Sequence, residues 1–343
     1  MLLMKLYNGP LLTAYEFAIE LYESMRFHIA LRTQKLRRSL KSNCVIKAIN
    51  EMIEAVLTDI ISVGPVPYHV SFIMDGNRRF AKSSNLSLQR GHEAGGLTLL
   101  HLVYICKKLG VKCVSAYAFS IENFNRPKKE VDTLMQLFSE KLDEFTTRSA
   151  DPNSPLYGSC LKVVGDRDLL SDDIKKKVSR AEELTKSEKG FTLIVCFPYT
   201  SRNDIYHTIY SSISQVQNNK IKTDDITVRT FTESMYLKEY ADKCDILIRT
   251  SGQKRLSDYM LWQSHENSTI EFCDTLWPDF TFSMIYTLML RWSYFTTIQN
   301  YNRVQFSLRQ ELSNKLKIFN RKKKIPIESF PEPPVAVTVS GKE

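Results

Sequence analysis

The 343-residue sequence has no Cys-x-x-Cys pair, no Gly-x-Gly-x-x-Gly behind a strand-like segment, no internal repeat and no run of eighteen uninterrupted apolar residues. Each absence excludes something. Without the apolar run, no membrane-spanning helix is expected. Without the glycine fingerprint, a dinucleotide-binding fold of the Rossmann type is disfavoured. The seven cysteines (Cys44, Cys106, Cys113, Cys160, Cys196, Cys244 and Cys273) are odd in number and irregularly spaced. That argues against a disulfide framework or a zinc site and for buried, reduced thiols in a cytosol-facing protein. Glu16, Glu20 and Glu23 interrupt the apolar residues of the N-terminus, so no secretory leader is expected.

Acidic residues are the scarcer charge: 47 Lys and Arg stand against 38 Asp and Glu, a formal net charge of +9. A basic balance favours anionic partners such as nucleic acid, anionic lipid or phosphorylated substrates. No nucleic-acid-binding signature accompanies it, and the central arginines fall in short motifs rather than a basic stripe; no nucleic-acid partner is expected.

The sequence predicts three segments. Residues 1–63 hold a mixed apolar and acidic helical stretch, a basic cluster (Arg32, Lys35, Arg37, Arg38 and Lys41) and then Val45, Ile49, Met52, Ile53, Val56, Leu57, Ile60 and Ile61 at three- and four-residue steps. This is an amphipathic helix that either packs on protein or lies on a membrane surface, its basic neighbours facing anionic headgroups. Residues 64–300 alternate apolar strand runs with helical patterns. Strands are predicted at 69–74, 112–118, 161–165, 191–196, 244–249 and 269–272. Helices are predicted near 91–109, 130–147, 170–186, 201–217 and 281–299. The alternation predicts a single α/β domain with a central, mostly parallel sheet flanked by helices. Residues 301–343 read as a polar tail.

Chemistry concentrates at the ends of predicted strands. The run Val70 to Met74 leads into Asp75-Gly76-Asn77-Arg78-Arg79, read as a turn. Gly76 permits a sharp backbone path, and the arginines are natural partners of phosphate oxygens. Asn123-Phe124-Asn125-Arg126, Arg249-Thr250-Ser251-Gly252, and Arg255 with Ser257 follow later strands. A parallel sheet would bring all of them to one edge. His92, in Gly91-His92-Glu93-Ala94-Gly95-Gly96, reads as the start of a helix, where free amides bind anions. Leu97, Leu100, Val103 and Tyr104, with Val131, Leu134, Met135 and Phe138, give two apolar helix faces that either pack on the sheet or enclose an apolar chain.

Six blocks occur in order: Met74 to Arg79, Gly91 to Gly95, Ala116 to Pro127, Ile248 to Gly252, Arg255 to Gln263 and Leu276-Trp277-Pro278. Over roughly residues 64–300 this set resembles the cis-prenyltransferases, most of all the fungal dehydrodolichyl diphosphate synthases. The resemblance implies magnesium-dependent, repeated addition of isopentenyl diphosphate to farnesyl diphosphate. It implies that Asp75 holds magnesium, and that Gly76, Asn77, Arg78, Arg79, His92 and Arg126 cradle the allylic diphosphate. Arg249, Arg255 and Ser257 would hold the diphosphate of isopentenyl diphosphate, and Asn77, Ser120 and Asn123 would manage proton loss. It also implies the cytosolic face of the endoplasmic reticulum membrane, with lipid droplets as a second location.

Departures from the bacterial pattern are Leu88 in place of an arginine, Gln253 in place of a glutamate, and Phe80 in place of a tryptophan. The late metal-binding glutamate has no clear counterpart, although Glu271 lies in that region. Many members end in an Arg-x-Gly tail that reaches a neighbouring active site; here Val339 stands two residues before Gly341. The resemblance therefore implies a heteromer with a Nogo-B receptor-like accessory subunit. A membrane-surface phosphoinositide binder would account for the basic N-terminal cluster, but it gives no reason for arginines at strand ends beside Asp75.

Overall fold

The structure, a computed structural model, describes residues 52, 56–61, 63–154, 156–186, 190–240 and 244–319. The N-terminal helical stretch, its basic cluster, Cys44 and the terminal Gly341 lie outside them. Chain contacts divide the protein into two units, Met1–Tyr294 and Phe295–Glu343. The sheet, both cores and the site belong to the first.

Six strands form one fully parallel sheet: β1 (His69–Ile73), β2 (Cys113–Tyr117), β3 (Ser159–Val164), β4 (Phe191–Cys196), β5 (Ile246–Arg249) and β6 (Thr269–Phe272). Their spatial order is β3-β4-β2-β1-β5-β6. Between them run helices α1 (Asn77–Ser83), α2 (Leu88–Lys108), α3 (Lys128–Ala150), α4 (Asp172–Thr185), α5 (Ser201–Gln217), α6 (Val228–Glu233) and α7 (Leu261–Ser264). The last helix, α8 (Phe282–Phe319), continues past residue 300 into the stretch whose composition reads as a polar tail.

The helix ends follow from local chemistry. Ser87, Ser171 and Thr200 each accept a hydrogen bond from a first-turn amide of α2, α4 and α5, which satisfies donors that the helix leaves open. Asp172 and Asp173 sit in the first turn of α4, where a negative charge meets the favourable end of the helix dipole.

The period-two alternation of the strands builds two different cores. Val70 and Phe72 of β1, Val114 of β2 and Leu161 and Val163 of β3 join Leu102, Phe138, Val178 and Ile285 from the helices in the larger apolar core. Ile61 and Leu57 of the helical stretch 56–61 pack there too, while Val56 and Ile60 are exposed. The opposite face holds Ile73, Cys113, Leu247, Tyr259 and Met260. It also carries a buried polar chain: the Tyr259 hydroxyl lies 2.9 Å from Ser71 Oγ, which is 2.8 Å from Ser115 Oγ, which is 2.9 Å from His69 Nε2. Small hydroxyl residues at these strand positions leave room for Tyr117 and Tyr259 to stack, with ring centroids 4.4 Å apart.

Strand β3 is an edge, and edges invite pairing with foreign strands. Here its outward amides are taken by α4: Leu161 N donates to Thr185 Oγ1 at 3.1 Å and Val163 N to Glu182 Oε1 at 2.8 Å. Among the described residues, no helix is long and apolar enough to cross a membrane.

The order of strands sets the site. From β1 the chain moves to one side through β2, β3 and β4, then returns to place β5 on the other side. The loops leaving β1 and β5 therefore diverge, and open α/β sheets bind ligands in that crevice.

Candidate functional site

Ile73 pairs with Arg249 across the β1–β5 boundary. Two residues beyond Ile73, the Asp75 carboxylate meets the Arg249 guanidinium, with Nη2 to Oδ2 at 2.8 Å. Arg249 is only 3% exposed. Its Nη1 donates to Ser257 Oγ at 2.7 Å and to the Arg255 carbonyl at 2.5 Å. One buried cation thus ties the Asp75 loop to the loop carrying Arg255 and Ser257. Thr250 locks the same junction: its Oγ1 donates to the Asp75 carbonyl at 2.7 Å, and Asp75 N donates back at 3.1 Å.

The Asp75–Arg79 segment is not the simple turn that its Gly and Asn content suggests. Gly76 has φ +117° and caps α1, so Asn77, Arg78 and Arg79 stand in that helix's first turn. A side chain at Gly76 would need that left-handed backbone and would meet Leu276 at 3.0 to 3.1 Å. Arg79 lies 3.8 Å from Asp75 Oδ1 and donates to the carbonyl and hydroxyl of Ser251.

His92 does not begin a helix. Helix α2 starts at Leu88 behind Ser87, so His92 is a full turn inside, and only its side chain is offered to the site. The glycines around it serve a different purpose. A Cβ on Gly91 would lie 2.7 Å from Ala81 Cβ, and one on Gly95 would lie 2.3 Å from Asn77 Oδ1. Gly91 and Gly95 let α1 lie almost against the α2 backbone. Trp277, fully buried, clamps this arrangement by donating from its indole to the Gly95 carbonyl at 2.8 Å and from its backbone to the Asp75 carbonyl at 3.0 Å.

Ser120 and Asn123 form a reciprocal cap on the short helical turn Ile121–Asn125. That turn leads to Arg126, whose Nη1 donates to Glu130 at 2.9 Å. Arg126 and Arg78 both act on the charge of His92. Burial, reinforced by these two cations and opposed by Glu130, pulls the His92 pKa from 6.5 to about 4, so the ring is neutral at pH 7. Arg255 is exposed and rests on Gln253 Oε1.

Buried polar atoms almost always have a hydrogen-bonding partner. Asn77 Oδ1, His92 Nε2 and Arg249 Nε have none. The two nitrogens, His92 Nε2 and Arg249 Nε, can donate to an anionic ligand, whereas Asn77 Oδ1 is an acceptor packed toward Gly95 and calls for a donor.

Among the described residues, no three His, Cys, Asp or Glu side chains converge on a metal position. Glu271 is paired with Arg291 on α8 rather than with Asp75. Asp75 alone, part-exposed beside the arginines, suits a magnesium ion held by one carboxylate together with substrate phosphate oxygens; it does not suit an all-protein cage.

The family model for putative undecaprenyl diphosphate synthases matches residues 73–298. The dehydrodolichyl diphosphate synthase complex subunit SRT1 of Saccharomyces cerevisiae is 52% identical over 327 residues, covering 95% of each chain. The human dehydrodolichyl diphosphate synthase complex subunit is 38% identical over 238 residues, covering 69% of this chain and 70% of its own. Among solved structures, lavandulyl diphosphate synthase from Lavandula x intermedia, in complex with dimethylallyl diphosphate, superposes with a TM-score of 0.62 at 29% identity. It covers 66% of this chain and 95% of its own. The chain belongs to the undecaprenyl diphosphate synthase family and is a cis-prenyltransferase.

A prenyltransferase needs room for an apolar chain, and the crevice opens onto it. A cavity of about 130 Å³ begins at Asn77 and His92 and continues between α2, α3 and the sheet. Leu100, Leu134 and Phe138 line it, as the apolar helix faces suggest. Leu97 is instead half-exposed, and Val103 is fully buried in the larger core.

Several residues escape motif reading. Thr250 and Ser251 hold the backbone of Asp75 and the guanidinium of Arg79. Glu130 fixes Arg126. Tyr117 donates from its hydroxyl to the carbonyls of Tyr199 at 3.1 Å and Ser257 at 3.3 Å, bridging the β2 end to the Arg255 loop. Glu130 has an ordinary local sequence, and although Tyr117, Thr250 and Ser251 lie inside the motif blocks, the motifs do not say what each side chain holds.

Two outcomes test this geometry. Gly95→Ala forces Asn77 out of place; we expect ~1–3 kcal/mol of destabilisation from overpacking and a loss of turnover of about 10²-fold from misplacement, read by thermal melts and steady-state rates. Unchanged turnover would show that Asn77 is not positioned for the reaction. The His92 ring should show no proton-NMR titration between pH 8 and pH 5 in the free protein, and its pKa should rise when inorganic pyrophosphate is added. The unfolded chain takes up this proton near pH 6.5 and the folded chain only near pH 4, so His92 makes stability fall as pH drops through that window. A free-protein inflection near 6.5 would contradict its burial.

Proposed function

We propose that this cis-prenyltransferase is the catalytic subunit of a dehydrodolichyl diphosphate synthase, with residues 64–300 as its catalytic domain. It adds isopentenyl diphosphate repeatedly to farnesyl diphosphate, giving a long polyprenyl diphosphate for dolichol synthesis and protein glycosylation. The observation that carries this reading is the Asp75–Arg249 pair, next in the chain to an apolar cavity lined by Met74, Asn77 and His92, with His92 Nε2 and Arg249 Nε left without partners.

In each cycle the allylic carbon–oxygen bond breaks and diphosphate leaves with the electron pair. The isopentenyl double bond attacks the allylic carbon, and a proton departs from the neighbouring isopentenyl carbon. Arg79, Arg78 and Arg126 stabilise charge on the leaving diphosphate. Neutral His92 and the Gly76 turn complete that cradle by hydrogen bonding and close approach. Arg249, Arg255 and Ser257 hold the second diphosphate, so that the isopentenyl alkene is aligned with the allylic carbon. Asn77, Ser120 and Asn123 attend the departing proton. Asp75 would hold magnesium, which would supply positive charge for the leaving group.

The relatives named above are subunits of complexes. We place this chain with a Nogo-B receptor-like accessory subunit. The part of residues 1–63 ahead of Leu57 and Ile61, which pack in the core, would associate with that partner or with the cytosolic face of the endoplasmic reticulum membrane or lipid droplets, and residues 301–343 would form a polar tail that begins within α8.

The test is incubation of the purified chain, alone and co-expressed with such an accessory subunit, with farnesyl diphosphate, labelled isopentenyl diphosphate and magnesium. Chromatography of the extracted lipid should show long polyprenyl products. No elongation in either form overturns the function. Full activity from the chain alone removes the obligate partner.

A further inference from the structure

The backbone around Ser257 is strained. Ser257, Asp258 and Met260 have φ of +52°, +60° and +47°, a left-handed conformation that residues other than glycine seldom adopt. Such a turn persists only where its surroundings hold it. The start of α5 supplies that hold. Ser201 N donates to the Asp258 carbonyl at 2.7 Å, and Leu261 N donates to Ser201 Oγ at 2.9 Å. The Asp258 carboxylate completes it: Oδ1 accepts from Arg202 N at 3.1 Å and Oδ2 from Arg202 Nε at 2.7 Å. A carboxylate is favoured there, because first-turn amides are open donors and the helix dipole is positive at that end.

Arg202 does not stop at Asp258. Its Nη2 donates to Glu122 Oε1 at 2.7 Å. Glu122 stands between Ser120 and Asn123 in the turn Ile121–Asn125, and its amide donates to Ser120 Oγ at 3.2 Å. One guanidinium, carried on the helix after β4, therefore spans the loops that follow β2 and β5. Its two ends differ. The Asp258 side chain is 10% exposed, whereas those of Arg202 and Glu122 are 73% and 63% exposed. Water screens exposed pairs, so the Glu122 contact contributes little to stability. What it fixes is position.

We propose that Asp258 and Arg202 are positioning residues for the isopentenyl half of the reaction. Asp258 holds the strained turn so that Ser257 faces the second diphosphate. Arg202, reaching on to Glu122, sets the spacing between that diphosphate and the Ser120–Asn123 turn that attends the departing proton. Lying between two carboxylates, Arg202 also compensates the negative charge of Asp258 beside an anionic substrate. Both residues act through Ser257, Ser120 and Asn123 rather than on the reacting atoms. This role rests on the isopentenyl site proposed above.

The experiment measures kcat and both KM values on the full chain co-expressed with the accessory subunit, beside thermal melts. Asp258→Ala should raise KM for isopentenyl diphosphate by about tenfold, the loss expected for one charge-assisted hydrogen bond, and leave KM for farnesyl diphosphate within about twofold. Asp258→Asn keeps an acceptor for Arg202 N and should recover most of that loss. Glu122→Ala leaves Asp258 paired; it should keep KM for isopentenyl diphosphate within about twofold and lower kcat about fivefold through a misplaced turn. Arg202→Ala should show both changes. Asp258→Ala added to it should raise KM less than in the wild-type background, as for residues that share one contact. If Asp258→Ala does not fold, Arg202→Ala, at an exposed position, carries the kinetic reading. In a protein that elongates, a lower melting temperature with unchanged KM values, or equal rises in both, overturns the positioning role alone. A wild-type complex that does not elongate overturns the proposed function and this role together.

Discussion

Asp75→Asn should lower turnover by about 10³-fold or more while the protein still folds. The carboxylate is the group that would hold magnesium, and such an ion contributes several kcal/mol to the transition state, each 1.36 kcal/mol being tenfold in rate. Read from sequence, Asp75 is a strand-end ligand whose removal spares the fold. The structure changes that expectation. Asp75 is a partner of Arg249, a nearly buried cation whose Nε already lacks an acceptor. Asp75→Ala would leave Arg249 Nη2 unpaired as well, at a cost of roughly 1–3 kcal/mol. That is less than the loss of a fully enclosed pair, because Asp75 is part-exposed and water would enter. The Asn variant keeps an acceptor for Arg249 and isolates the chemistry. Steady-state kinetics across magnesium concentrations, beside thermal melts, separate the two effects. Ordinary magnesium-dependent turnover in Asp75→Asn would make the residue structural and remove the assigned role.

The fold was legible where a single property repeats along the chain. The six strands are apolar runs bounded by turn residues, and they appear within a few residues of where they were expected. The helix starts were legible to within two residues except that of α2. Ser87 is an ordinary N-cap signal for α2, but Gly91, Gly95 and Gly96 look like a loop, and they delay the apparent start of the helix to His92. Their meaning is steric: α1 and Asn77 come too close for a Cβ at Gly91 and Gly95, and at Gly96 a Cβ would crowd the end of Lys141. No local pattern encodes that. Helix α8 extends beyond its apolar repeat, since a polar stretch without Pro or Gly carries no stop signal and is equally readable as a tail.

The site divides in the same way. Arginines at strand ends point to phosphate from sequence alone, because a parallel sheet gathers those ends. Which arginine faces which acid does not follow, since Asp75 and Arg249 are 174 positions apart. The Leu276-Trp277-Pro278 block has no chemistry of its own. Its purpose emerges only when Trp277 is seen to hold both the Asp75 carbonyl and the Gly95 carbonyl.

Arg249→Ala should be the most damaging of the arginine substitutions, and its signature should differ from that of Arg255→Ala. Arg249 joins the Asp75 and Arg255 loops, which the proposed function assigns to the two diphosphates: one nitrogen meets Asp75, the other meets Ser257 and the Arg255 carbonyl. On that assignment truncation would remove a donor to isopentenyl diphosphate, free Asp75 from its anchor and let the Arg255 loop detach. We expect kcat to fall by about 10²–10³-fold, as for loss of one preorganised charge-stabilising donor. KM should rise for both substrates, with a lower melting temperature. Arg249→Lys will not restore the wild type, because one ammonium cannot serve acceptors in both directions as a planar guanidinium does. Arg255 is exposed, and its side chain touches only Gln253 among the contacts described above. Arg255→Ala should therefore leave the melting temperature within about 1 °C. It should raise KM for isopentenyl diphosphate by about tenfold, the loss expected for one charge-assisted hydrogen bond, with little change in KM for farnesyl diphosphate. If Arg255→Ala raised both constants equally, the assignment of this loop to the isopentenyl site would fail. If Arg249→Ala left stability and farnesyl diphosphate binding intact, the buried pair would not be the hinge between the two sites.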